Sequence, residues 1–152
     1  MARDGSDGAA PSMSEGVTAT PDLELKLPAR AENVAVVRHA FGGFAEAVSV
    51  DEQTLADIKL AITEACTNVV MHAYEDHEDG DLEVDATIDD DRLMVVIRDN
   101  GRGIVPRPDS PGLGLGLPLI ATLAETLELG TDIAERTEVR MTFRLDEDDD
   151  EP

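Results

Sequence analysis

The spacing of apolar residues in this chain changes several times, and each change marks an element. Residues 22–27 (DLELKL) alternate strictly between polar and apolar, which predicts a half-buried strand ended by Pro28. Residues 30–48 place Val34, Val37, Phe41, Phe44 and Val48 at helical spacing, with Gly42-Gly43 weakening the middle. Asp51 then reads as the N-cap of a long helix over 52–74, striped by Leu55, Ile58, Ile62, Ala65 and Val69. A turn at Asp79-Gly80 leads into two strands, 81–88 and 92–98, joined through Asp89-Asp90-Asp91. Residues 99–116 read as a glycine- and proline-rich loop. A helix over 117–128 follows, with Pro118 in its first turn, and two strands close the chain near 126–134 and 138–145. The order β-α-α-β-β-α-β-β predicts an α+β fold, a two-layer sandwich in which helices cover one face of a mixed β-sheet.

The two ends read differently from the body. Residues 1–20 are small and polar and are expected to form a disordered arm. Residues 146–152 (DEDDDEP) are expected to be a solvated acidic tail, which leaves one domain over 21–145. Across 152 residues, 34 acids face 12 lysines and arginines, a formal charge of -22. Removing the six acids of the tail still leaves -16, so the body itself is acidic. That balance argues against direct nucleic-acid binding and against docking on an anionic membrane, since both need a basic face. It permits a basic protein partner, or an anionic ligand held with a metal ion. No apolar run spans a bilayer, no secretory signal is evident, and the single cysteine, Cys66, cannot form an internal disulfide. The expectation is therefore a cytoplasmic protein.

Three segments carry candidate chemistry. On the long helix, Glu64, Asn68 and His72 follow at i, i+4 and i+8, on a side turned away from the apolar stripe. A carboxylate there would take a proton from a hydroxyl, and an amide oxygen would ligate a hard cation such as Mg²⁺. The same spacing also occurs on any solvent-facing helix. Next, Asp99-Asn100-Gly101-Arg102-Gly103 directly follows an apolar strand. A carboxylate only accepts hydrogen bonds, so Asp99 suits an exocyclic amine such as that of adenine, with bare backbone at Gly101 and Gly103 beside it. Asp-Asn-Gly is equally ordinary turn chemistry. Finally, Gly112, Gly114 and Gly116 alternate with leucines and run into a helix, an arrangement in which backbone N–H groups converge on an anion. The dinucleotide fingerprint fails at Leu119, and no Gly-Lys-Ser/Thr tripeptide is present for a P-loop.

Taken together, E-x-x-x-N on a helix, D-x-G-x-G after a strand and G-x-G before a helix resemble the GHKL ATPase superfamily and its Bergerat fold. The runs ITEACTNVVMHAY, IRDNGRGI and GLGLGLPLIATLAE resemble, within it, the bacterial anti-sigma-factor serine kinases. The resemblance covers residues 22–145. It implies that Asn68 ligates the Mg²⁺ bridging the phosphates of ATP and that Glu64 is the general base. It further implies that Asp99 holds the adenine amine, with Gly101 and Gly103 giving the base room, and that Gly112, Gly114 and Gly116 close over the phosphates. Thr137 falls where the family carries a threonine near adenine, although Arg136 replaces the usual preceding glycine. Arg102 and Arg107 are candidate phosphate contacts, and His72 receives no chemical role. The loop Ile104–Pro111 is short for the family's lid, a departure that bears on turnover more than on binding.

The implied function is an ATP-dependent serine/threonine kinase that phosphorylates a STAS-type anti-anti-sigma protein and sequesters a sigma factor, with a homodimer left open. The alternative is a nucleotide-gated sigma-factor binding module without phosphoryl transfer. A two-component histidine kinase fares worse, because His39 in VRHAF lacks the acid and the proline expected around a phospho-accepting histidine.

Overall fold

A computed structural model of the chain describes residues 20–73, 80–101, 111–134 and 136–145, with backbone only for 111–115. The N-terminal arm up to residue 19 and the acidic tail lie outside the described residues. The elements are β1 (Leu23–Pro28), α1 (Ala31–Ala47), α2 (Glu52–Asn68), a π-helical turn (Val69–Ala73), β2 (Asp81–Asp89), β3 (Arg92–Asp99), α3 (Pro111–Leu123), β4 (Thr126–Thr131) and β5 (Thr137–Arg144). The order is the one expected from the periodicity.

The strands form one sheet in the order β1-β2-β3-β5-β4, and every neighbouring pair is antiparallel. The fold is α+β as expected, but the mixed sheet is corrected to an antiparallel one. The reason lies in the last strand. β3 and β4, joined through α3, run parallel to each other, because both are antiparallel to β5. β5 returns between them, so the parallel relation set up by the helical crossover is never expressed as a ladder.

Alternation sets the two faces of the sheet. A row of apolar residues, Leu25–Val84–Ile97–Val139–Leu129, crosses all five strands in register on the helix-covered side. Leu82, Ala86, Leu93, Val95, Met141 and Phe143 fill neighbouring rows and are buried under the helices. From the helix layer, α1 contributes Val34, Val37, Phe41 and Ala45, and α2 contributes Ile58, Ala61, Ile62, Ala65 and Cys66. Gly42 and Gly43 stay helical despite a propensity cost of about 1 kcal/mol each. Phe41 is buried beside them and meets Phe44 edge-on at 6.2 Å, so packing outweighs the local preference. The Cys66 thiol is wholly buried, and burial pushes its pKa up to about 12, which removes the thiolate from its chemistry.

Local chemistry accounts for the helix ends. The Asp51 carboxylate accepts from the Thr54 N–H at 2.8 Å, the N-cap expected for α2. α3 departs most from the sequence reading. It begins at Pro111 rather than 117, because Pro111 occupies the first helical position where a missing N–H costs nothing. Pro118 therefore lies inside the helix and not in its first turn. The helix stops at Leu123 rather than 128, since the Glu125 N–H donates to the Thr142 carbonyl and the chain enters the β5 ladder. β4 likewise ends at Thr131, where Asp132 begins the turn into β5. Among the described residues, no helix is long and apolar enough to cross a membrane. Asp51→Ala should lower the unfolding free energy by about 1 kcal/mol in urea melts at neutral pH, without altering the denaturant slope.

Candidate functional site

Among the described residues, two buried polar side chains, those of Asp99 and Asn68, lie in the layer between sheet and helices, and each arrives by a different periodicity. β3 alternates, so Leu93, Val95 and Ile97 face the helices, and Asp99 follows them onto the same side, 2% exposed. α2 brings Asn68 down at its last α-helical residue, 4% exposed, just before the backbone widens into the π-helical turn. Turns of that kind recur at functional sites. Glu64 sits one turn earlier on the same side of α2, half-buried. His72 lies within the π-helical turn, half-buried as well, and the geometry assigns it no part in this set.

The end of β3 is locally determined. The Gly101 N–H donates to Asp99 Oδ1 at 3.0 Å, a turn that holds the carboxylate against the chain following it. Thr137 begins β5 directly opposite Asp99 in the ladder. Residues facing one another across an antiparallel pair share a face, with Cβ atoms about 5 Å apart. Arg136, where a glycine was expected, points elsewhere. Its guanidinium binds Glu83 at 2.8 Å and Asp132 at 2.7 Å, on the open side of the sheet. The arginine is therefore compatible with Thr137 facing Asp99.

That open side carries a network the sequence pattern did not reveal. Arg98 joins Asp85 at 2.7 Å and Glu138 at 2.8 Å, linking β2, β3 and β5. Burial works against the charge of Arg98, but the hydrogen bonds and charges of Asp85 and Glu138 outweigh it and hold the guanidinium above its ordinary pKa. Burial would likewise raise the pKa of Asp132. The backbone N–H and guanidinium of Arg136, with the Ala134 N–H, instead hold it below the ordinary carboxylate value. A recess of about 830 Å³ over Met94, Val96, Arg98 and Arg140 also opens on this side and includes none of the candidate site residues.

The third glycine of the alternating run meets Asn68. Gly116 is buried in α3, and a Cβ added there would stand 2.8 Å from Asn68 Nδ2 and 3.2 Å from Oδ1. Among the described residues, the buried Asn68 Nδ2 has no hydrogen-bond partner. Such a donor is costly unless something supplies an acceptor. A phosphate oxygen would do so, while the amide oxygen suits a hard cation. Among the described residues no cluster of three or more His, Cys, Asp and Glu is gathered for a metal. This donor set fits Mg²⁺ held through one side chain and the phosphates of a nucleotide. Gly112 and Gly114 lie in the first turn and a half of α3, where helix N–H groups lack internal partners near the start. Gly103, Arg102 and Arg107 lie outside the described residues, as does the short loop before Pro111.

The description "Histidine kinase-like ATPase domain" matches residues 27–143. The chain is 35% identical over 125 residues to a serine-protein kinase RsbW of Bacillus cereus, covering 72% of this chain and 78% of that protein. It is 34% identical, with the same coverage, to the serine-protein kinase RsbW of Bacillus mycoides. Among solved structures, it is similar to the RsbU and RsbW domains of Rv1364c from Mycobacterium tuberculosis. That match has a TM-score of 0.66 and 25% identity, and covers 83% of this chain. The present chain spans only 33% of that longer one.

The lowered pKa of Asp132 has a measurable consequence. A carboxylate whose folded pKa is depressed contributes stability that is present above the unfolded value of about 3.9 and is lost as pH falls through the folded value. Urea melts should show Asp132→Asn less stable than the parent at pH 7. The gap should close as the pH is lowered below about 3.9.

Proposed function

The chain belongs to the histidine kinase-like ATPase family, and from that premise we propose that it is an ATP-dependent serine/threonine protein kinase of the anti-sigma-factor type. In this reading a STAS-type anti-anti-sigma protein is the phosphate acceptor and a sigma factor is the sequestered partner. The observation that carries the reading is the burial of Asn68 and Asp99 in one layer, Asn68 with an orphaned amide donor and Asp99 facing Thr137 across the ladder. A buried amide donor left unmet in a hydrophobic layer is costly, and a ligand that supplies an acceptor would meet it.

The residues divide the work by their chemistry. Asp99 accepts the hydrogen bond of the adenine amine, with Thr137 beside it and Gly101 leaving the base room. A guanine, which carries a carbonyl at that edge, meets acceptor against acceptor and is rejected. Asn68 would hold Mg²⁺ through its amide oxygen, where the cation would supply charge neutralisation for the phosphate oxygens. Gly112 and Gly114 offer backbone N–H groups at the start of α3 to the same phosphates. Glu64 accepts the proton of the attacking serine hydroxyl. The Oγ–P bond then forms as the bond from the γ-phosphorus to the bridging oxygen breaks, and ADP departs with that oxygen. Gly103, with Arg102 and Arg107, extends the nucleotide site in this reading.

The acidic body supports the choice of partner. A charge of -22 complements a basic surface such as a sigma factor presents to DNA, so association should weaken as salt is raised. We place residues 21–145 as the nucleotide-binding domain, between an N-terminal arm and an acidic tail, in the cytoplasm.

Labelled phosphate from γ-labelled ATP should appear on the anti-anti-sigma protein. Glu64→Ala should cut the transfer rate by about 100-fold or more while leaving ATP affinity nearly intact. Label transfer at the parent rate would remove Glu64 from the chemistry. ATP binding without any transfer by the parent protein would instead favour the nucleotide-gated binding module. In calorimetry, Asp99→Asn should weaken ATP binding by about 10-fold or more and erode the preference over GTP.

A further inference from the structure

Gly116 is the third glycine of its run, and its surroundings differ from those of an anion donor. It lies six residues into α3, past the stretch whose N–H groups lack helical partners. Its distinguishing contact is lateral. The Cα approaches the Asn68 carboxamide so closely that a methyl group would overlap Nδ2 at 2.8 Å and crowd Oδ1 at 3.2 Å and Cγ at 3.4 Å. Asn68 is itself 4% exposed and ends an α-helix, so any shift of its carboxamide takes place within a buried layer. Gly42 makes the contrast. The atom nearest its hypothetical Cβ is Lys59 Nζ at 3.8 Å, an ordinary distance at the end of a flexible chain.

We propose that Gly116 is a positioning residue for Asn68: by lacking a side chain it lets α3 lie flat against the carboxamide and holds that amide in the orientation that engages the cation and the phosphates. This rests on the nucleotide-site reading above and assigns Gly116 a role different from a backbone donor. The contact has a consequence for sign. Alanine is a better helix former than glycine, so Gly116→Ala in an unobstructed helix interior would stabilise the protein. Here the methyl meets a buried amide inside contact distance, so the carboxamide or the helix must shift, and the substitution should destabilise. Truncating Asn68 removes the obstacle.

Four proteins test this: the parent, Gly116→Ala, Asn68→Ala and the double variant. Melting temperatures are measured without nucleotide, and Mn²⁺ affinity in the presence of ATP is measured by electron paramagnetic resonance. Gly116→Ala should lower the melting temperature of the parent but leave unchanged or raise that of Asn68→Ala. It should weaken Mn²⁺ binding to the ATP complex by about tenfold, with metal-free ATP binding little changed. An equal fall in melting temperature in both backgrounds, or an unaltered Mn²⁺ affinity, overturns the proposal. If Gly116→Ala alone fails to fold, a folded double variant supports it and an unfolded one overturns it. If the parent binds no Mn²⁺ with ATP, the nucleotide-site reading fails, while the melting temperatures still decide the contact.

Discussion

Everything in the site depends on one property of β3: its side chains alternate, and its inward face belongs to the hydrophobic layer. Leu93, Val95 and Ile97 commit that face to the helices, and the pleat then carries Asp99 into the same layer whether or not a carboxylate is welcome there. A one-residue slip in register would turn Asp99 to the open side and bring Arg98 inward. The ladder pairs Arg98 with Glu138 and Asp99 with Thr137, so the ion network outside and the polar site inside are set by the same hydrogen bonds. The apolar row Leu25–Val84–Ile97–Val139–Leu129 resists the slip, since every member would have to leave its layer.

The scarcity of cations gives the outer network its weight. With 34 acids against 12 lysines and arginines, most carboxylates repel one another, and Arg98 and Arg136 sit between acids brought together by the sheet. Arg98 bridges Asp85 and Glu138, and Arg136 bridges Glu83 and Asp132, each with one arm on β2 and another at or near β5. Individual surface pairs are worth little, but these are partly buried, bonded at 2.7–2.8 Å and shared between strands. Arg136 in place of the expected glycine follows the same logic. The position lies on the open side, so a long side chain there reaches acids without disturbing the face that holds Thr137.

Legibility from sequence followed the range of the forces. Strands β1, β2 and β3 and the N-cap of α2 were readable because alternation and an Asp N-cap act over a few residues, whereas the expected end of α2 at 74 gave way to the π-helical turn after Asn68. The start of α3 was not, because Gly112, Gly114 and Gly116 have poor helix propensity and only tertiary packing makes them helical. The ends of α3 and β4 shifted because the Thr142 carbonyl claims the Glu125 N–H, a partner seventeen residues away. The antiparallel sheet was hidden for a similar reason, as nothing local says that β5 inserts between β3 and β4. Within the site, spacing identified Glu64 with Asn68 and the turn at Asp99. The approach of Gly116 to Asn68 and the fate of the Arg136 side chain depend on which elements meet, and a linear pattern carries no such information.

The glycines of α3 therefore act in two opposed ways. Each costs about 1 kcal/mol of helix propensity, and Pro118 removes the hydrogen bond that would reach the Gly114 carbonyl. A helix with that opening is a poor one in isolation, and Leu117 and Ile120, buried in the core, anchor it. Substituting better helix formers would strengthen α3 on its own terms but, at Gly116, would drive it off α2. Close approach between the helices and intrinsic stability of α3 cannot both be maximised, and the sequence favours approach. The glycine that weakens the helix at position 116 is then the one that meets Asn68, so a local cost in α3 is the condition for the contact between the helices.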